Sequence, residues 1–404
     1  MTVPRPVRFL DRRTPPHVAT LVLLTGMSAL SMNIFLPSLP HMAEHFDTDY
    51  RVMQLSVALY LGVNGLLQIV IGPISDNIGR RPVIFWGCAL FLVATLACIY
   101  APTAEIFLAA RMCQAVVAVA MVLSRAAVRD MHESDKAASM IGYVTMGMAV
   151  VPMIGPVIGG MLDEMFGWES TFWVLFWIGV VTLAIIWFDF GETAQKSGKT
   201  LVQQFREYPE LLTSPRFWGY SLACGFCSGS FFAYLGGAPY IGTEVYGLGP
   251  AELGYYFGAP AIGYFCGNFI TARCSVRYGI NRMIIWGSLL IMLGLVLSMI
   301  LHALGHGSAP VFFGLMIFVG LGNGMAIPNA TAGSLSVRPH LAGTAAGLGG
   351  AIMLCGGAAL SALAGAMLTP GSGAMPLLWI MLVTCALGFA SIMLVVFRER
   401  QLGL

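Results

Sequence analysis

The feature that most constrains this chain is a succession of apolar segments, each about as long as a bilayer core is thick. A helix gains about 1.5 Å per residue, so about 20 apolar residues cross a hydrocarbon layer of about 30 Å. Segments of that kind lie near 17–39, 51–72, 83–101, 104–126, 141–162, 169–189, 216–238, 252–273, 283–302, 309–330, 341–367 and 375–397. Every Asp, Glu, Lys and Arg falls at or beyond a segment end, Arg111 excepted. Charged residues make up 10% of the chain and hydrophobic ones 57%, with mean hydropathy +0.80, whereas a soluble domain carries about 25% charged residues. So little charge cannot wet a surface. Lipid is the expected solvent, and a soluble enzyme is excluded. The first segment ends in Asn33-Ile34-Phe35-Leu36-Pro37, without the small-residue pattern a signal peptidase reads, so it is expected to remain as a span.

Orientation follows from the basic residues. If the N-terminus is cytoplasmic, all but two of the 21 Lys and Arg fall on the cytoplasmic side, the exceptions being Arg51 outside and Arg111 within the membrane. Both termini are then cytoplasmic, and twelve spans are expected in a bacterial inner membrane. The nine cysteines lie in or beside the spans, and the pair Cys224 and Cys227 reads as small core residues rather than a metal or redox site. His41 and His45, near Asp47 and Asp49, read as a solvated loop rather than a metal site, and no metal or cofactor is expected.

The chain divides at its longest polar stretch into a six-helix bundle (1–190), a linker (191–215) and a second six-helix bundle (216–404). The halves resemble each other. Ile78-Gly79-Arg80-Arg81-Pro82-Val83-Ile84-Phe85-Trp86-Gly87 aligns with Tyr278-Gly279-Ile280-Asn281-Arg282-Met283-Ile284-Ile285-Trp286-Gly287, each joining the second and third spans of its half. Internal repeats of this sort build transporter folds with the substrate site between two bundles. Gly198-Lys199-Thr200 lacks the earlier glycine of a phosphate loop, because position 193 is threonine. Nucleotide hydrolysis by this chain is therefore excluded, and any work it does draws on a gradient.

Four groups of residues are candidates for a mechanism. The loop around Asp76, Gly79, Arg80 and Arg81 combines a sharp turn with opposite charges, which suits a cytoplasmic gate latch. Arg111 costs about 2.5–3.5 kcal/mol to insert, so it is expected to face a cavity with partners such as Gln114 three residues on. Ser56, Tyr60, Asn64 and Gln68 recur every four residues and stripe one face of the second span; a wet cavity and interhelical hydrogen bonding both remain open for them. The fifth span carries Gly147, Pro152, Gly155, Pro156, Gly159 and Gly160, a pattern for a bent helix in close backbone contact with a neighbour.

Together these residues resemble the major facilitator superfamily, in its twelve-span drug:proton antiporter branch and most closely its Bcr/CflA subfamily of bicyclomycin, sulfonamide and phenicol exporters. The resemblance covers nearly the whole chain and implies an all-α integral membrane protein. It implies that Asp76 and Arg80 gate, that Arg111 and Gln114 serve proton coupling, and that the fifth-span glycines and prolines mark an antiporter. Ser124-Arg125-Ala126-Ala127-Val128-Arg129-Asp130 and Pro328-Asn329-Ala330 resemble the subfamily's own signatures. The chain departs from the subfamily at Asn33, where an aspartate usually stands. Asparagine cannot titrate, and no other span carries a central carboxylate; Glu105 and Asp130 are the fallback proton carriers.

The reading is an alternating-access exporter of small amphipathic compounds, working by proton antiport; the alternative is an uncoupled or differently coupled carrier of a metabolite. The substrate cavity is expected between Asn33, Tyr60, Asn64, Gln68, Arg111 and Gln114 on one side and Asn268, Asn323 and Asn329 on the other. Phe231, Phe232, Tyr256 and Phe257 are expected in its apolar wall. The expected partners are a small drug or metabolite, protons and the bilayer, with no nucleic acid, and the protein is expected to act as a monomer.

Overall fold

A computed structural model describes residues 7–131, 151, 154–194, 208–338, 341–369 and 371–403. Among these residues all regular structure is helical. The first half contains α1 (Val18–Asn33), α2 (Leu39–His45), α3 (Tyr50–Ile78), α4 (Arg80–Ile99), α5 (Ala104–Gln114), α6 (Ala118–Met131), α7 (154–166) and α8 (Glu169–Asp189). The second contains α9 (Pro215–Tyr240), α10 (Pro250–Tyr278), α11 (Ile280–Ala303), α12 (Ala309–Ser336), α13 (Ala342–Met367) and α14 (Met375–Leu402). Among the described residues, nine helical segments are long and apolar enough to cross a membrane. Helices α9 and α10 match them in length at 26 and 29 residues.

Local chemistry sets the helix ends. Orphan amides at an N-terminus need an acceptor, and Asp49 supplies one to Arg51, Thr103 to Ile106 and Ser214 to Phe217. The turns after α3 and α10 fall on Gly79 (φ 112°) and Gly279 (φ 84°), in a backbone region that disfavours other residues. The repeated sequence therefore folds into a repeated turn.

Two spans differ from their expected continuity. The first stops at Asn33, passes through a short 3-10 turn at Leu36–Ser38 and resumes as α2; Pro37 and Pro40 lack the amides a continuous helix would bond. The fourth tightens into a 3-10 turn at Ala115–Val117, directly after Gln114. Gly147 and Pro152 lie outside the described residues.

Packing repeats between the halves. Helix α4 lies against α8 and α5, as α11 lies against α14 and α12; α1 lies against α8 and α6, as α9 lies against α14 and α12. The halves meet along α3 and α13. Outward faces stay apolar, with Trp86, Val93, Trp177 and Leu394 exposed, as a lipid-facing surface requires. The basic turns around Arg80 and Arg277 mark one end of the molecule, which we call the basic end. Aromatic clusters brace the other, distal end: Phe35, Phe107, Trp168 and Phe172 in the first half, and Tyr234, Phe257, Phe312 and Phe313 in the second. Among the described residues, all four buried charged side chains (Arg80, Arg111, Asp163 and Asp189) belong to the first half.

Candidate functional site

Arg111 is the most costly residue in the first bundle and the best held. It is 1% exposed, near the C-terminal end of α5. Its guanidinium donates to the Ser31 carbonyl at 2.7 Å, to the Ser31 hydroxyl at 3.3 Å and to the Gln114 side-chain oxygen. The Gln114 amide in turn donates to Thr95 Oγ1 at 2.8 Å. The rings of Tyr60 and Phe35 lie 4.0 and 4.4 Å from the guanidinium carbon, where their π faces attract a cation. Among the described residues no carboxylate pairs with it, and its Nε has no hydrogen-bond partner. Four spans thus converge on one buried positive charge held by neutral groups.

The polar stripe of α3 turns inward. Ser56, Tyr60 and Asn64 are buried; Gln68, half-buried, donates to Asn64 Oδ1 at 3.2 Å, and the Tyr60 hydroxyl reaches Ser31 Oγ at 3.4 Å. Asn33 is buried at the end of α1 with its amide on the Ala29 carbonyl and its Cβ towards Gly155 of α7, and among the described residues no hydrogen bond joins it to the Arg111 group. Of the stripe, Tyr60 touches Arg111 itself, while Asn64 and Gln68 continue it along α3 towards the basic end.

The second-half asparagines behave differently. Asn329 donates to the Met325 carbonyl and accepts from Ser275 of α10 at 2.8 Å, while Asn268 donates to the Tyr264 carbonyl. Both sit where α10 meets α12, and among the described residues no hydrogen bond joins them to the Arg111 group. Asn323 is 2% exposed with neither amide atom hydrogen-bonded. The expected aromatic wall is largely core: Phe257 packs on Tyr234, Tyr256 stacks on Phe313, Phe231 stacks on Tyr234, and Phe232 fills the space above Gly357.

At the basic end Arg80 pairs with Asp130 of α6 at 3.2 Å and also bonds Ser75. Glu192, which the sequence reading missed, accepts the Arg80 and Arg81 backbone amides at 2.8 and 3.2 Å and so caps α4. The Arg81 side chain donates to the Trp187 carbonyl. The side chain of Asp76 lies outside the described ones. The second half repeats the device, because Glu399 accepts from Asn281 at 2.6 Å, Arg216 at 2.7 Å and Tyr220 at 3.0 Å. One carboxylate after the last span of each half thus holds the start of the third. Gly79 is needed for its φ, and a Cβ there would also push the Glu192 carboxylate, 2.5 Å away, off the α4 amides. Gly79→Ala should therefore lower stability by about 2 kcal/mol or more, measured as an earlier thermal transition in detergent.

The distal end is closed. A Cβ on Gly160 would overlap the Pro250 carbonyl at the start of α10, and one on Gly254 would stand 2.5 Å from the Pro156 carbonyl. Between α3 and the second half, Gln54 donates to the Ser361 hydroxyl at 2.8 Å, and the Tyr50 hydroxyl donates to the Gly236 carbonyl at 2.8 Å. Gln54 is not among the expected site residues, although an amide inside an apolar span is its signal. Within the first bundle, Gly159 lies on the Ile34 carbonyl.

Two bundles with matching internal contacts, a lipid-facing exterior and a polar interior define a membrane transporter rather than an enzyme. The chain matches the Major Facilitator Superfamily model over residues 21–362 and belongs to that family. It is 30% identical over 336 residues to a chloramphenicol resistance protein of Pseudomonas aeruginosa, covering 81% of this chain and 78% of the relative. It is 26% identical over 354 residues to a bicyclomycin resistance protein homolog of Haemophilus influenzae, covering 87% and 89%. These relatives place it beside the Bcr/CflA-like drug:proton antiporters. The crystal structure of the human organic anion transporter MFSD10 (TETRAN) matches with a TM-score of 0.70 at 16% identity, over 94% of this chain and 98% of that one. That likeness concerns the fold alone.

Proposed function

We propose that this protein exports small amphipathic compounds of phenicol, sulfonamide or bicyclomycin type across a bacterial inner membrane by proton antiport. The observation that carries the reading is Arg111: a buried guanidinium without an anion is costly to keep, and such residues in spans mark ion or substrate pathways. Names of relatives supply the phenicol and bicyclomycin types, and the subfamily resemblance adds sulfonamides. In this reading residues 1–190 and 216–404 rock about each other, the linker 191–215 joins them, and the basic end with both termini is cytoplasmic. The protein works as a monomer. The conformation described here is then closed to the periplasm. Arg111, Gln114, Tyr60, Asn64, Gln68 and Asn33 form the first wall of the path; Asn323, with its amide free, is the foremost group of the facing wall, and Asn268 and Asn329 support it. Asp76, Gly79, Arg80 and Arg81 gate the cytoplasmic end. The fifth-span residues Gly147, Pro152, Gly155, Pro156, Gly159 and Gly160 serve as the antiporter motif.

One proton crossing about 100 mV supplies roughly 2.3 kcal/mol, enough for about a 50-fold gradient of a neutral drug. Asn33 favours a second reading, an uncoupled carrier, because the usual first-span carboxylate is absent. Inside-out vesicles with an acid interior separate the two. Chloramphenicol, a sulfonamide or bicyclomycin should discharge the gradient only when the protein is present. Drug movement that ignores the gradient would leave the carrier and remove the antiport.

A further inference from the structure

A second buried charge in the first half lies far along α7 from the basic end. Asp163 stands just beyond the fifth span, one turn past Gly160, with a side chain 1% exposed. The His41 imidazole of α2 places Nδ1 3.2 Å from its Oδ2, and that ring is 48% exposed. The carboxylate is therefore shut away, and the imidazole stands between it and water.

Its surroundings suit an acid better than an anion. Among the described residues the donors that reach Asp163 are the His41 ring at 3.2 Å and the Ser38 hydroxyl, neither in good hydrogen-bond geometry, and the Trp168 indole N–H is unpartnered. Burying an ionised carboxylate with donors so poorly aligned is expensive, and proton uptake is the usual relief. Asp189 shows the contrast: equally buried, it accepts from Leu10 N at 2.7 Å, His17 N at 2.9 Å and Thr20 Oγ1 at 2.6 Å. Three donors make Asp189 a staple between the chain start and α8.

The charged groups that act on Asp163 are His41 from α2 and Glu169 at the start of α8; Glu164 follows it on α7, and Glu252 lies in the first turn of α10, the helix that packs on this corner. Burial pushes the Asp163 carboxyl upward, Glu169 adds to the rise, and His41 with Ser38 pulls the other way. Helix α10 covers this corner from the second half, lying on residues 36–38 and on the bare face of Gly160. Opening the seam between α7 and α10 would let water reach the carboxyl.

We propose that Asp163 and His41 form a proton-binding site on the periplasmic face whose occupancy sets whether the α7–α10 seam is closed. A proton from outside water joins the exposed imidazole, the Nδ1–H proton passes to Asp163 Oδ2, and the neutral imidazole is regenerated. The carboxylate goes from −1 to neutral, and the closed seam keeps it so. The sign follows from the direction of the shift. A group whose pKa is higher in the closed form than in water favours closure at acid pH and ceases to as pH rises through the raised value. The proposal rests on the exporter reading for its orientation: acid outside would then drive the closing step of the cycle.

The test is a pH titration of the protein in lipid nanodiscs, following the carboxylic-acid band by infrared spectroscopy. Spin labels at Tyr100 and Leu304, exposed at the distal ends of α4 and α11, report the seam by their separation. Acid should raise the band and shorten the distance in the parent protein. Asp163→Asn should remove that band and hold the distance short at every pH, while Asp163→Glu should restore the response. His41→Gln should move the midpoint to higher pH, since the imidazole opposes protonation. A parent-like pH response in Asp163→Asn overturns the proposal; should that variant not fold, an unmoved midpoint in His41→Gln does so. Drug-driven proton movement in vesicles fails or succeeds separately, so loss of the antiport reading would be seen as such.

Discussion

Arg111→Met should abolish transport and leave the protein as stable as before, or more so. Removing the guanidinium gives up hydrogen bonds to Ser31 and Gln114, each worth about 1.5–3 kcal/mol. It also removes a buried charge whose desolvation costs several kcal/mol and is offset here only by neutral groups and two rings. Methionine fills a similar volume against Phe35 and Tyr60. A residue kept for architecture would behave in the opposite way, with unfolding preceding any loss of transport. Arg111→Lys makes the complementary case: it keeps the charge but cannot fork between Ser31 and Gln114, so it should lose both stability and transport. Thermal unfolding and vesicle uptake of the two variants decide the matter. Normal uptake by the methionine variant would remove Arg111 from the transport path.

Adjacent glycines on α7 should respond to alanine in opposite ways. Gly159 faces Ile34 within the first bundle, and Gly160 faces Pro250 across the seam. Gly159→Ala has no conformation that relieves its clash, so it should destabilise the bundle by about 1–3 kcal/mol or more and lower the yield of folded protein. Gly160→Ala can relieve its clash by opening. A similar energy then appears as a shift of about fivefold or more from the closed to the open form, with little change in unfolding. Labels at Tyr100 and Leu304 would measure the shift. Equal loss of folded protein in both variants would mean that the α7–α10 contact does not come apart in the cycle.

Much of this was legible in the sequence because the bilayer imposes a length. The limits expected for the sixth span, 169–189, coincide with α8, and the repeated loops at Gly79 and Gly279 both turn through positive φ. Arg111 and Gln114 were found together because a charge in an apolar run is conspicuous and three residues bring its partner to the same helix face. What escaped was tertiary. Glu192 and Asp163 look like ordinary carboxylates at span ends, and nothing local shows that one caps α4 while the other is shut in beside His41. The expected facing wall of Asn268, Asn323 and Asn329 was only partly distinct from packing, since an asparagine that lines a path and one that joins two helices have the same signature. Asn329 is bonded to α10, and Asn323 has no bond.

The confinement of buried charge to one half has a consequence for how such a protein changes over generations. Among the described residues, the buried polar and aromatic side chains of the second half are serine, threonine, asparagine and aromatic rings, none of which carries charge. Substitutions there can reshape a binding surface without disturbing an ionised group, whereas in the first half a comparable change meets Arg111 or Asp163. New substrates should therefore be acquired mainly through the second repeat, while the first keeps its buried charges.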